Sequence, residues 1–168
     1  GWDRKHPAAT ATPVSWHIAC LIATKLASTG FWDEAAAVVI SHDCYLRPGE
    51  AMNLRTKRVA VRNDRRLGQS SGMSLSLWDN KTQKYAWVTI RRPEVADVLQ
   101  LAVERARRKN RSSLFGLKYS TYLRRFKAAA AAVGFPDVRP HGLRHGGVTA
   151  DHMGVPPLIP PLPLPEIA

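Results

Sequence analysis

At 168 residues with apolar side chains at 45%, the chain can bury the core of one ordinary domain and carry at most a tail besides. Its 25 Lys and Arg against 13 Asp and Glu leave a net charge of +12 and an isoelectric point near 10.4, an excess that points to a polyanionic partner, nucleic acid being the commonest. Two isolated cysteines, Cys20 and Cys44, exclude a cysteine-based zinc module and a disulfide framework and favour a reducing compartment, and no stretch approaches the roughly 20 apolar residues that span a bilayer.

Gly1 to Lys5 show neither a signal-peptide pattern nor an initiating Met, so the chain reads as a fragment, with residues 1–12 as a lead. Thr12-Pro13 predicts a helix start, Thr as N-cap and Pro at the first helical position. Val14, Ile18, Leu21, Ile22 and Leu26 then keep helical spacing until Gly30 stops the run. A second apolar helix is expected from Trp32 to Cys44. Pro48 opens a short third helix ending near Leu54, which leaves Arg47 on the junction between two helices. Short strands are expected at Val59 to Val61, Met73 to Trp78 and Tyr85 to Ile90, with a polar loop at Arg62 to Ser71 and a turn at Asp79 to Thr82. Pro93-Glu94 starts an amphipathic helix, with Val95, Val98, Leu99, Ala102 and Val103 on one side and a strongly basic end. The last helix runs from about Tyr119 to Val133 and is closed by Gly134. This order predicts an α+β fold over residues 13–154: a mostly helical domain with a small three-stranded antiparallel sheet. Residues 155–168, with six prolines from Pro156 to Pro165, read as an extended polyproline-like tail.

Three segments carry chemistry: Tyr45-Leu46-Arg47-Pro48-Gly49-Glu50 continuing to Leu54-Arg55, Lys81-Thr82-Gln83-Lys84, and His141-Gly142-Leu143-Arg144-His145. His141 and His145 share the i, i+4 spacing of a metal pair, but Gly142 stands where the H-E-x-x-H zinc motif has Glu, so no metal and no cofactor is expected. His42 and His152 read as surface or packing histidines. Together and in this order the segments resemble tyrosine recombinases of the phage-integrase family, where an L-R-x-x-E-x-x-x-L-R segment precedes a hairpin lysine and then H-x-L-R-H. The resemblance covers about Ser15 to Gly154, and its most specific part is H-G-L-R-H with the two glycines that follow.

The resemblance implies DNA recombination or integration, by cleaving and rejoining a phosphodiester through a 3′-phosphotyrosine. It assigns Arg47, His141, Arg144 and His145 to the catalytic site, with Lys81 or Lys84 as the hairpin lysine. The chemistry is consistent with that assignment. Guanidinium groups stay charged and bind two phosphate oxygens at once, so Arg47 and Arg144 suit a transition state rich in negative charge. An imidazole such as His141 can pass a proton near neutral pH, and a lysine can protonate the departing 5′ oxygen. The family's nucleophilic tyrosine follows H-x-L-R-H, whereas the four tyrosines here, Tyr45, Tyr85, Tyr119 and Tyr122, all precede His141. No nucleophile is therefore identified, and strand cleavage by this chain alone is not expected.

Phosphate tracking falls to Arg105, Arg107, Arg108, Lys109 and Arg111 at the end of one helix, and to Lys118, Arg124, Arg125 and Lys127 in the next. The expected partner is double-stranded DNA, with other recombinase subunits open as further partners and no membrane. The implied location is intracellular: the nucleus in a eukaryote, the nucleoid in a prokaryote. Two other functions stay open, a non-catalytic DNA-binding module from a mobile element and an interaction protein using its Pro-rich tail.

Overall fold

The structure, a computed structural model, describes residues 12–60, 72–79 and 81–144. The lead before Thr12, the Arg62 to Ser71 loop, His145, His152 and the Pro-rich tail lie outside the described residues.

Among the described residues, helices and strands follow in the order α1 (Trp16–Ser28), α2 (Trp32–Cys44), α3 (Pro48–Met52), β1 (Val59–Ala60), β2 (Ser74–Asp79), β3 (Lys84–Thr89), α4 (Pro93–Arg108) and α5 (Tyr119–Ala132). The sheet is antiparallel in the order β1-β2-β3, with Val59 opposite Leu75 and Trp78 opposite Tyr85. The described residues thus form a mostly helical domain with one small antiparallel sheet, as the sequence predicts. No helix among them is long and apolar enough to cross a membrane.

α2 is the hub, because α1 lies against one side of it and α4 against another, while α5 contacts both α1 and α2. Small side chains permit that crowding: Ala35, Ala36 and Ala37 on α2 and Ala19 and Ala23 on α1 are all buried. Ile22, Leu26, Ile40, Leu99, Phe126 and Leu143 are fully buried around them, each contributing roughly 1.5–3 kcal/mol of hydrophobic stabilisation.

One predicted boundary moves. Thr12 does not cap α1; Ser15 does, its hydroxyl accepting from Ile18 N at 3.3 Å. The preceding backbone is committed elsewhere. Val14 N–H donates to Gly142 O at 2.9 Å, and Val14 O accepts from His42 Nε2 at 3.0 Å. With both groups bonded outside the helix, Thr12 to Val14 runs as a strap between α2 and the helical residues 141–144.

Candidate functional site

α2 ends at Tyr45, whose left-handed backbone (φ 58°) turns the chain sharply into α3. Arg47 becomes the N-cap of α3, Pro48 takes the first turn, and Glu50 reaches back so that its Oε1 accepts from Arg47 N at 2.7 Å. From the far end of the domain, Leu143 anchors residues 141–144 in the core, leaving His141 exposed and Arg144 half-buried. Arg144 Nη1 donates to Tyr45 O at 2.8 Å and stands 3.9 Å from Glu50 Oε1. Arg47 Nη1 stands 3.8 Å from Glu50 Oε2. The two guanidinium groups therefore address the two oxygens of one carboxylate. At these distances the contacts are ion pairs, not hydrogen bonds, and partly exposed pairs of this kind contribute about 0–1 kcal/mol.

Arg47, Glu50 and His141 open onto one groove of about 930 Å³, walled also by Arg55, Lys57 and Arg58 and by Trp78, Tyr85 and Tyr119. Its floor is braced by the loop after α4: Arg55 Nη1 donates to Ser112 Oγ at 2.8 Å, and Leu114 N donates to Leu54 O at 2.8 Å. Arg58 sits 3.5 Å over the Tyr85 ring.

Behind the α2–α3 corner lies a buried polar cluster. Asp43, its side chain wholly inaccessible, accepts from Arg91 N at 2.7 Å and from Arg92 Nη1 at 3.4 Å. Burial raises its carboxyl above the usual range, and the bonds from Arg91 and Arg92 oppose that shift. Arg91 stacks over the Tyr45 ring at 4.7 Å and Arg92 over Trp16 at 4.1 Å. Burial first, then the Arg92 charge, lowers His42 from 6.5 to about 4, so at neutral pH it is an uncharged donor to Val14.

The proposed phosphate trackers divide into two groups. Arg105 and Arg111 both pair with Asp33, at 3.3 and 3.5 Å, and Arg125 pairs with the buried Glu34. These three hold α4, its trailing loop and α5 onto the start of α2. Arg107, Arg108, Lys109, Lys118, Arg124 and Lys127 are exposed. Lys81 in the hairpin tip and Lys84 at the start of β3 are exposed and lie outside the described groove wall. His145 lies outside the described residues.

Sequence reasoning passes over Lys57, Arg58 and the three aromatic residues of the groove. Arg55-x-Lys57-Arg58 is a short basic run that could have been singled out. Which face Trp78 and Tyr85 occupy depends on strand register, which composition does not encode.

No protein-family model matches the chain, and no curated protein matches its sequence. Solved structures do match. The chain superposes on XerA recombinase with a TM-score of 0.63 at 19% identity, covering 90% of this chain and 52% of that one. It superposes on a lambda integrase dimer bound to a COC′ core site with a TM-score of 0.62 at 13% identity, covering 88% and 43%. On lambda integrase residues 75–356 bound to DNA the TM-score is 0.60 at 13% identity, covering 86% and 52%. The chain spans about half the length of these structures. It has the fold of a tyrosine-recombinase catalytic domain.

Proposed function

We infer that this domain binds duplex DNA and holds one backbone phosphate between Arg47, His141 and Arg144, the arrangement that recombination or integration of DNA requires. The observation that carries this reading is the approach of Arg47 and Arg144 to opposite oxygens of Glu50. A phosphodiester has two non-bridging oxygens, so it can take over both guanidinium partners, and His141 on the same groove can donate to it as well. The folds of DNA-bound lambda integrase support the choice of partner.

In strand transfer a tyrosine hydroxyl loses its proton to a base and its oxygen bonds to phosphorus, while the bond to the 5′ oxygen breaks and that oxygen takes up a proton. This chain's cradle neutralises the negative charge that gathers on the non-bridging oxygens, and Lys81 or Lys84 on the β2–β3 hairpin supplies the proton to the 5′ oxygen. Tyr45, Tyr85, Tyr119 and Tyr122 all precede His141, so none of them is assigned as the nucleophile. The exposed Arg107, Arg108, Lys109, Lys118, Arg124 and Lys127 extend the grip on the backbone, with little selection among bases. Such a protein works where DNA is, in the nucleus or nucleoid.

The test is affinity for a short duplex as a function of salt, in the wild type and in Arg47→Ala, whose side chain is 59% exposed and does not pack in the core. The log–log slope should fall by about 0.9 when one phosphate is no longer neutralised. An unchanged slope removes Arg47 from the cradle, and absence of binding at low salt removes DNA altogether.

A further inference from the structure

One wall of the groove is aromatic. Trp78 and Tyr85 face each other across β2 and β3, their rings meeting edge to face at 5.1 Å and 71°. They remain 44% and 47% exposed. The other face of the hairpin carries Leu75, Leu77 and Val88, which pack on the core. That face holds the sheet down, and the aromatic pair stands exposed on the opposite face.

Their setting narrows what they can recognise. Arg58 lies 3.5 Å over Tyr85, and Arg47, Arg55 and Lys57 share the groove, with Glu50 the single carboxylate among its described lining residues. An apolar ligand would meet that charge unfavourably, whereas a nucleotide brings both a phosphate for the cations and a π-face for the rings. A base inside a duplex offers only its edge to a groove; its face becomes available when it is unpaired. We propose that Trp78 and Tyr85 form a stacking site for one unpaired nucleotide of a DNA strand, with Arg58 and Lys57 holding its flanking phosphates. The proposal rests on the DNA-binding reading above and adds a preference for DNA that is locally opened.

Fluorescence anisotropy with two labelled DNAs tests it: an intact short duplex and the same duplex interrupted by a short single-stranded gap. The wild type should bind gapped DNA about tenfold more tightly, the scale of one stacked base. Trp78→Ala should remove that preference, weakening binding of gapped DNA about tenfold more than binding of intact duplex, because stacking acts on the unpaired base alone. Trp78→Phe should keep part of the preference, and a melting curve confirms that each variant is folded. Equal wild-type affinity for both DNAs, or a preference that survives in Trp78→Ala, overturns the stacking site. If the wild type binds neither DNA at low salt, the DNA-binding reading itself is wrong.

Discussion

Gly142→Ala adds one carbon at the point where the Thr12–Val14 strap crosses the His141 turn. That carbon would stand 2.1 Å from Thr12 O and 2.9 Å from Val14 Cγ2. The first neighbour is backbone and cannot rotate away, so the strap must lift by roughly an ångström to reach ordinary van der Waals distance. Lifting breaks the Val14 N–H to Gly142 O bond, a loss of about 1 kcal/mol, and displaces the fully buried Val14. Adding the usual overpacking cost of about 1–3 kcal/mol gives a total near 3 kcal/mol. For a domain of this size that lowers the melting temperature by about 6–12 °C. Gly49→Ala is the matched control, since nothing lies within 4 Å of the added carbon there, and its melting temperature should stay close to the wild type. In Gly142→Ala the affinity for duplex DNA should also fall at temperatures where the protein is still folded, because His141 and Arg144 flank the disturbed residue. A Gly142→Ala protein that melts within about 2 °C of the wild type refutes the reasoning.

His42 should make the domain acid-sensitive. Its folded value is depressed to about 4, so the unfolded chain binds the proton more readily, and stability is intact above 6.5 and falls as pH drops toward 4. Across the whole window the loss approaches roughly 3 kcal/mol, and His42→Gln should flatten it in denaturant titrations at several pH values; parallel curves would show that other groups are responsible. Arg125→Met should cost about 2 kcal/mol, since it strands the buried Glu34, with little effect on DNA affinity. The adjacent, exposed Arg124→Met should leave stability unchanged and weaken DNA binding; the reverse pattern would reassign both. A nicked suicide duplex should trap no covalent adduct with this chain alone on a denaturing gel. An adduct mapping to Tyr85 or Tyr119, the two tyrosines among the described groove residues, would place the nucleophile in this chain after all.

Helical spacing and Pro–Gly punctuation place α2, α4 and α5 nearly to the residue, because local pattern determines those boundaries. The start of α1 is not legible in the same way, since a long-range bond to Gly142, invisible in local sequence, draws Val14 out of the helix. The meeting of Arg47 and Arg144 is legible only through resemblance, because nothing in either segment alone points to the other. Arg105, Arg111 and Arg125 have the sequence signature of surface charge in a basic run. Their partners Asp33 and Glu34 lie far back in the chain and close on them only in the packed domain. The aromatic wall is hidden for a different reason: Trp78 and Tyr85 are good strand formers, and strand propensity does not say which face is wet.

The bond from Arg144 to the Tyr45 carbonyl spans 99 residues, which bears on when the site can exist during synthesis. Closing so long a loop costs more chain entropy than any pairing within the α1–α2 hairpin, so this closure comes late in folding. A nascent chain that has emerged only as far as α5 displays Arg47 and Glu50 with no second guanidinium opposite them. The meeting of Arg47 and Arg144 at Glu50 is therefore completed only once the helical core is available to receive residues 141–144.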